Sequence, residues 1–206
     1  MLIGLSTILL PQSCKDAEGP TAIPIITGDP STVAQFRLLD NQAMTLTAQN
    51  TTDEISSKTY SNQLDVDQDG KKDLQVVYED FSTTAGYKRH NAKVIVINPL
   101  MEVYSQIIEI WGGPNRVVSM AIAGEEVFHE SNDWSQFDES TVHLFLSEEQ
   151  DGELMNEFNF FPIAENDAYL LFKTNGETPF IGWLHLNQSQ ELWHLSFLDI
   201  GIKPVD

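Results

Sequence analysis

The sequence predicts an all-β protein, an antiparallel β-sandwich or open barrel that closes with a C-terminal three-stranded meander. Two observations support this class. Beyond Gln63 the chain holds seven short segments rich in β-branched and aromatic residues, separated by Gly, Pro, Asn, Asp and Ser. No segment shows the apolar periodicity of a helix of three or more turns. Short strands at this spacing are typical of sandwiches and barrels.

The predicted strands follow one another along most of the chain. In order they are LQVVYED (74–80), AKVIVINP (92–99), YSQIIEIW (104–111), VHLFLS (142–147), AYLLFKTN (168–175), PFIGWLHLN (179–187) and ELWHLSFLDI (191–200). Upstream, the segment 31–57 fits a first strand or a short helix, because Val33, Phe36 and Leu39 recur at helical spacing among polar residues. Residues 147–157 fit one or two helical turns.

The last three strands predict a specific register. Asn175-Gly176 is a strong hairpin signal, because both positions of a type I′ turn need positive φ. The register that follows pairs Thr174 with Glu177, Phe172 with Pro179 and Leu170 with Ile181. A second turn at 187–190 returns the chain and sets Trp183 opposite His194. The three strands therefore form an antiparallel meander.

Two histidines of this meander raise the question of a metal. His185 and His194 come close together, but the register places them diagonally and beside bulky apolar neighbours. A transition-metal site also needs a third ligand. We therefore expect histidines of the core or its rim at these positions.

Composition and charge limit the function classes. The chain has 206 residues, of which 41% are hydrophobic, enough for one well-buried domain, predicted over residues 32–206. It carries 31 acidic and 11 basic residues, for a formal charge of −20. Such a surface repels phosphate backbones, so nucleic acid is not an expected partner. Cations and basic partners are attracted.

The N-terminus contains the one cysteine, Cys14, after an apolar stretch that is too short to span a bilayer. This stretch resembles a bacterial lipoprotein signal. The resemblance implies a signal peptide over 1–13, cleavage after Ser13 and a lipid on Cys14 that anchors the protein in the cell envelope. Residues 14–31, with three prolines, then form a tether. The alternative is a buried N-terminal strand with a free core cysteine.

The segment LDVDQDGKKDL, residues 64–74, sets four aspartates at close spacing around Gly70. Carboxylates this close repel one another unless a cation lies among them. Ca²⁺ takes six to eight oxygen ligands, and a loop can supply them from positions 1, 3, 5, 7 and 9 of such a pattern. An EF-hand continues to a glutamate at position 12, but here that position is Val76, within a predicted strand. The helix-loop-helix form is excluded.

The same segment resembles the short calcium loop of FG-GAP and related bacterial surface repeats, in which DxDxDGxxDL leads directly into a strand. On that resemblance, Asp65, Asp67, Asp69 and Asp73 supply side-chain ligands and Lys71 a carbonyl ligand. Mg²⁺ is less suited, because it keeps its waters and needs stricter octahedral geometry. The alternative is a solvated acidic turn without a metal.

A wider resemblance joins these parts in order: the lipoprotein-like cysteine, DVDQDGKKDLQV, AIAGEEVFHESNDW and AYLLFKTNGETPFIGWLHL. Together they look like uncharacterised Bacteroidetes-type secreted or lipid-anchored β proteins. The resemblance implies an all-β envelope domain, lipid-anchored in the outer membrane and facing the periplasm or the exterior. It implies no activity.

Catalytic motifs are missing. The sequence has no G-x-S-x-G, H-E-x-x-H, P-loop or dinucleotide-binding glycine pattern. A glycosidase needs two carboxylates across a cleft. Candidates for such a pair are Glu109, Glu125, Glu126, Asp133, Asp138 and Glu139.

The most site-like loop is HESNDWSQFDES, residues 129–140. There His129, Asp133 and Trp134 come together, and Trp134 and Trp111 could stack on sugar rings; the alternative is an ordinary tryptophan-anchored loop. Two functions follow. The first is a non-catalytic envelope module with a structural calcium loop that binds a protein or a glycan. The second is a glycan-active hydrolase of unfamiliar type that uses paired carboxylates.

Overall fold

The computed structural model describes residues 23–110, 113–118, 120–121, 123–129, 141–159, 167–188 and 195–205. The only helix in these ranges is a single 3-10 turn, Pro30–Thr32, in which the Ser31 N–H donates to the Asp29 carboxylate. None of the described helical structure is long and apolar enough to cross a membrane. The prediction of an all-β fold is confirmed.

Sixteen strands occupy most of the described residues. In chain order they are β1 (Ile25–Ile26), β2 (Gln35–Ala43), β3 (Thr45–Thr51), β4 (Ile55–Leu64), β5 (Leu74–Thr83), β6 (Tyr87–Val96), β7 (Met101–Val103), β8 (Ser105–Ile110), β9 (Gly113–Val118), β10 (Met120–Ala121), β11 (Glu126–Val127), β12 (Thr141–Gln150), β13 (Glu153–Asn159), β14 (Asp167–Thr174), β15 (Phe180–Gln188) and β16 (Leu195–Pro204).

The strands form two large sheets and a small one. The eight-stranded sheet has the order β3-β4-β5-β6-β12-β9-β8, with β13 also paired to β12. The six-stranded sheet has the order β10-β14-β15-β16-β2, with β7 also paired to β14. Strands β1 and β11 form the third sheet. Within the described residues neither large sheet closes on itself, so the architecture is a sandwich and not a barrel.

The main core lies between the two large sheets. Alternate residues of β5 and β12, such as Val76 and Leu144, pack against alternate residues of β14 and β15, such as Phe172 and Leu184. All four are fully buried. Burial of about 1.5–3 kcal/mol per large apolar side chain makes this layer the main source of stability.

A second apolar layer covers the outer face of the six-stranded sheet. Leu171, Ile181 and Trp183 point to this side and pack with Ile25 and Val127 of the β1–β11 pair. Strands β14 and β15 are therefore buried on both faces, which explains why AYLLF and FIGWL are almost continuously apolar.

The fold includes part of the segment that the sequence assigned to the tether. Ile25 is fully buried and pairs with Val127, although both lie in short strands. Two neighbouring isoleucines, Ile25 and Ile26, supply enough apolar surface to dock this segment on the sheet despite the prolines around it.

Of two local predictions, for residues 31–57 and 147–157, the first agrees with the structure and the second does not. The segment 31–57 forms extended strands, so that the first of the two alternatives is correct. The predicted helical turns at 147–157 are wrong, because β12 and β13 form an antiparallel hairpin there, with Asp151 and Gly152 both at positive φ in the turn. The acidic residues of this segment lie on a solvated hairpin rather than on a helix.

The predicted meander β14-β15-β16 is confirmed, but its first register is wrong. Thr174 pairs with Phe180 instead of Glu177, so that residues 175–179 form a five-residue loop. The predicted pairing sets Pro179 inside a central strand, where it has no N–H for the ladder. Asn175 instead reaches across to Leu100 and Glu102, through its backbone N–H and its side-chain amide.

The second register is also wrong. Trp183 pairs with Gly201 and not with His194, which lies outside the described residues. A Cβ on Gly201 would approach the Trp183 ring to 2.4 Å, so only glycine lets this indole lie flat over the neighbouring strand. Strand β15 extends to Gln188, which pairs with Leu195, so Asn187 and Gln188 of the predicted turn at 187–190 lie in a strand.

Candidate metal centre

The four aspartates lie in a hairpin connection between the two long strands β4 and β5. We call residues 65–73 the Asp loop. The ladder ends at the Leu64–Leu74 pair, and the Asp73 N–H closes the loop on the Leu64 carbonyl at 2.8 Å. The prediction that the loop leads directly into a strand is confirmed, since β5 begins at Leu74.

Two residues let the Asp loop turn sharply. Gln68 has φ of 64° and Gly70 has φ of 91°, both in the left-handed region. These turns fold the chain back so that the first and the last aspartate of the motif come together.

Three of the four aspartates converge. Asp65, Asp67 and Asp73 each offer an oxygen that lies within 4.8 Å of the oxygens offered by the other two. Two oxygens bound to one Ca²⁺ at about 2.3–2.6 Å are at most about 5 Å apart. The triad could therefore hold a metal ion. We call these three residues the Asp triad.

Asp73 is the buried member of the triad, with 2% of its surface exposed. Its Oδ2 accepts the Val66 N–H at 2.8 Å, and its Oδ1 accepts the Asn98 side-chain amide at 2.9 Å. The Asp73 carbonyl also accepts the N–H groups of Ile97 and Asn98. Asp73 thus joins the Asp loop to the end of β6, and its carboxylate is fixed before any metal binds.

Asp65 lies beside an arginine from the opposite sheet. Arg37 of β2 donates from a terminal guanidinium nitrogen to the Asp65 carbonyl at 2.9 Å, not to the carboxylate. The Asp65 Oδ2 accepts the Gly70 N–H at 3.0 Å. Its Oδ1 is buried with no hydrogen-bond partner. A buried carboxylate oxygen without a donor is costly, and a cation is the natural partner for it.

The pKa of Asp67 reflects its position in the acidic cluster. Partial burial, together with repulsion from Asp73, Asp69 and Asp65, raises the pKa of the Asp67 carboxyl, although a hydrogen bond from the Asp69 N–H acts in the opposite direction. A metal ion favours the ionised carboxylate and displaces the proton.

The Asp69 carboxylate interacts with Lys71, and only the backbone N–H of Asp69 bonds a triad carboxylate, that of Asp67. Asp69 Oδ1 accepts the Lys71 backbone N–H at 2.8 Å, and its Oδ2 pairs with the exposed Lys71 ammonium at 3.2 Å. The hydrogen bonds from Lys71 lower the pKa of Asp69. Their assignment as ligands stays a prediction.

A groove of about 580 Å³ opens beside the Asp triad. Asp67 and Asp73 line it, as do Thr174, Phe180 and residues of the 175–179 loop between β14 and β15. Leu100, which is 54% exposed, adds apolar surface to the groove. A ligand in this groove would touch both polar and apolar groups next to the metal position.

Most of the other residues that the sequence suggested as candidates lie outside the described ranges. Cys14, Trp111, Asp133, Trp134, Asp138 and Glu139 belong to this group. Glu109 lies in β8, but only its backbone is described. Glu125 and Glu126 are exposed, and the Glu125 carbonyl accepts a hydrogen bond from the Thr27 N–H at 3.0 Å.

His129 is held by backbone contacts. Its Nε2 lies 3.3 Å from the Thr174 carbonyl, and its own carbonyl accepts the Lys173 ammonium at 3.2 Å. These bonds anchor the chain after β11 on β14, a structural role that the sequence did not indicate.

Sequence reasoning missed two residues that support the triad, Arg37 and Asn98. Both are distant from the motif in sequence, and no local pattern marks them. Comparison with family models, with curated proteins and with solved structures returned no match for this chain.

Proposed function

We propose that this protein is a lipid-anchored module of the bacterial cell envelope whose Asp loop binds a structural calcium ion, and that it binds a protein or a glycan without catalysing a reaction. The observation that carries the proposal is the convergence of Asp65, Asp67 and Asp73 on one point. The calcium part rests on geometry, whereas the anchor at Cys14 rests on the sequence alone.

Calcium suits the site better than the alternatives. All the offered ligands are oxygens, with no imidazole or thiolate, which favours a hard cation. The loop supplies its ligands from an irregular backbone with two left-handed residues, and Ca²⁺ tolerates irregular geometry better than Mg²⁺ does. Three carboxylates also supply the negative charge that a divalent ion needs.

The position of the loop supports a structural role for the ion. The Asp loop joins β4 and β5, two central strands of the large sheet, and Arg37 ties it to β2 of the opposite sheet. A cation among the carboxylates removes the repulsion that acts against this closed loop. Calcium therefore stabilises the contact between the two sheets at this end of the sandwich.

A binding role is supported by the groove beside the triad. The groove is open and mixed in character, with carboxylates, lysines and apolar side chains along its length. The candidate carboxylates for hydrolysis that are described with side chains, Glu125 and Glu126, lie exposed on neighbouring positions and do not face each other across a cleft.

Calorimetric titration of calcium into the chelator-treated full-length protein tests the proposal. We expect one calcium per chain for the wild type and none for Asp67→Ala, with weaker heats for magnesium. Asp53→Ala removes an exposed carboxylate from the turn before β4 and is the matched control, which should bind like the wild type. Calcium binding by Asp67→Ala with wild-type affinity would contradict the assignment.

A further inference from the structure

The groove beside the Asp triad shares two residues with it. Asp67 and Asp73 of the triad line this groove of about 580 Å³, together with Asp69 and Lys71 of the Asp loop. An ion held among the three carboxylates therefore borders the groove. A second cavity, of about 610 Å³, is lined by Asp67 alone of the triad. The first groove thus offers a ligand more of the metal position.

The triad does not fill the coordination of a calcium ion. Ca²⁺ takes six to eight oxygen ligands, and the triad brings one oxygen from each of three carboxylates together. The Asp69 carboxylate and the Lys71 carbonyl, the two further ligands that the sequence predicts, would raise the number to five. An ion with all five still has about one to three positions for oxygens from outside the protein.

The charges along the groove favour a neutral ligand. Four acidic and two basic side chains line it, namely Asp67, Asp69, Asp73, Glu177, Lys71 and Lys72. One Ca²⁺ brings the sum of these charges to zero, whereas the whole chain carries a formal charge of −20. An anionic ligand would therefore gain little from the groove and would be repelled by the rest of the surface.

Apolar side chains lie in the same groove as the metal position. Leu100 is 54% exposed and Ile97 is 40% exposed, and both line the groove. Apolar surface of this kind gains free energy when a ligand covers it. Thr178 adds a hydroxyl group to the lining. The groove therefore suits a neutral ligand that is rich in oxygen and also presents carbon-bound hydrogens.

We propose that the groove binds a neutral glycan, and that two hydroxyl groups on neighbouring carbons of one sugar ligate the calcium ion directly. This proposal rests on the proposed function, because it needs the ion in the Asp loop. Vicinal hydroxyls supply two neutral oxygens to adjacent positions of one ion, whereas a peptide carbonyl supplies one. The hydroxyl hydrogens donate to the triad carboxylates, and the carbon-bound hydrogens of the ring pack on Leu100 and Ile97.

Hydrogen bonds hold the groove ready for a ligand. The Asn98 Nδ2 donates to Asp73 Oδ1 at 2.9 Å, and the Asn98 Oδ1 accepts the Leu100 N–H at 3.0 Å. The Leu100 carbonyl accepts the Asn175 N–H at 3.1 Å. One chain of hydrogen bonds thus joins a triad carboxylate to an apolar residue of the groove and to the 175–179 loop. Such preorganisation reduces the entropy that is lost when a ligand binds.

Calcium and glycan should bind cooperatively. A sugar that ligates the ion makes contacts that only the calcium-loaded protein offers. Linkage requires that the effect is reciprocal, so the calcium affinity should rise in the presence of the glycan by the factor by which calcium raises the glycan affinity.

The test is affinity electrophoresis of the full-length protein through gels that contain α-mannan, dextran, xylan or galactan, four neutral polysaccharides. We expect at least one of them to retard the protein in calcium and none to do so in EGTA. The same polysaccharide should lose this effect after periodate has cleaved its vicinal diols and borohydride has reduced the products. With terbium in place of calcium, luminescence lifetimes in H₂O and D₂O count the waters on the ion, and the polysaccharide should displace about two of them.

Leu100→Gln should weaken the binding about three- to tenfold, because the sugar loses apolar surface that it covers. The calcium titration of the same variant separates this loss from damage to the metal site. Leu154→Gln is the matched control, because Leu154 is 56% exposed and does not line the groove. This variant should be retarded like the wild type.

The calcium titration of the wild type distinguishes the two proposals. A wild type that binds no calcium would contradict the proposed function and the glycan proposal with it. A wild type that binds calcium but none of the four polysaccharides would overturn the glycan proposal alone. Retardation that survives periodate, that leaves the waters on terbium unchanged, or that anionic hyaluronan causes in preference to all four would also overturn it.

Discussion

At the scale of single residues, the carboxylates of the Asp loop divide into two kinds. Asp73 is buried, and both of its oxygens accept hydrogen bonds from the protein, so it supports the fold whether or not a metal is present. Asp67 is more exposed, accepts one hydrogen bond, and has a raised pKa. The first kind holds the loop, and the second needs the cation.

Asp73→Ala should lower the free energy of unfolding by about 1–3 kcal/mol in chelator, because it leaves the buried Val66 N–H and the Asn98 amide without their acceptor. The loss should be larger in calcium, because the Asp triad also loses a ligand. Urea unfolding under both conditions measures this. Asp67→Ala is the comparison, since it should lose only the calcium-dependent part. An Asp73→Ala protein as stable as the wild type in chelator would show that the hydrogen bonds of this carboxylate contribute little.

At the scale of the element, the sequence predicted strand identity better than strand pairing. The apolar segments around Val76, Leu144, Leu170 and Leu184 were predicted as strands because their composition is local information. The segment that contains β3 was left open between a strand and a helix, and β4 was not predicted, because pairing and not composition makes these Thr- and Ser-rich segments strands. The Asp loop was predicted because its motif is contiguous.

Registers were missed for a tertiary reason. The Asn-Gly signal at 175–176 predicted a two-residue turn that does not form. Asn175 instead hydrogen-bonds the Leu100 carbonyl and the Glu102 carboxylate, and Pro179 has no N–H to donate to a ladder. Arg37 and Asn98, which support the Asp triad, are distant from the motif in sequence. No local pattern in a single sequence reports such contacts.

The pairing of Trp183 with Gly201 gives a test of the observed register. In Gly201→Ala the added Cβ would lie 2.4 Å from the Trp183 ring, so we expect a loss of about 1–3 kcal/mol in the free energy of unfolding. Gly176→Ala is the matched control, since its Cβ would lie 3.4 Å from Leu100 and its φ is not positive. Thermal and urea unfolding of both variants measure the difference. Equal stability of the two variants would contradict the pairing.

His143, which pairs with Lys93 between β12 and β6, gives a prediction about the pH dependence of stability. Burial, with the nearby Lys93 ammonium, lowers the pKa of His143 below 6.5, although Glu79 acts against this shift. The unfolded chain therefore binds this proton at a higher pH than the folded chain does. Stability from neutral His143 is present above about pH 6.5 and is lost as pH falls toward the folded-state pKa.

His143→Gln should remove this contribution. As pH falls from 7.5 to 5, the wild type should therefore lose stability relative to this variant, with a pH slope no steeper than the uptake of about one proton on unfolding gives. Urea midpoints at several pH values measure the trend, and His129→Gln is the control. A wild-type to His143→Gln difference that stays constant across this range would contradict it.

At the scale of the whole molecule, the net charge is consistent with the proposed location in the cell envelope. A chain with a formal charge of −20 attracts cations over its whole surface, but only the Asp loop gathers three carboxylates among the described residues. An envelope location would expose the protein to external calcium, and extracellular modules typically bind calcium at about 10⁻⁴–10⁻³ M. The proposed calcium site and the proposed lipid anchor are thus consistent with one environment.

The anchor is tested separately from the metal. The wild-type protein expressed in a bacterial host that processes lipoproteins should partition into detergent, because acyl chains contribute ~0.8 kcal/mol per buried CH₂. Cys14→Ala should leave the precursor unprocessed or release the protein into the aqueous phase. Phase separation followed by mass measurement of the N-terminal peptide decides this. A wild-type protein found wholly in the aqueous phase would contradict the lipid anchor.

The most direct test of the central claim is the melting temperature of the full-length protein in EGTA, in calcium and in magnesium. At calcium 100-fold above Kd, binding to the folded state alone adds about 2.7 kcal/mol, which corresponds to a rise of about 5–10 °C for a chain of this size. Calcium should restore the melting temperature that EGTA lowers, magnesium should restore it less, and Asp67→Ala should melt alike in all three. A wild-type melting curve that does not respond to chelator or calcium would show that the aspartates form a solvated turn, and the metal-centred account of this fold would be wrong.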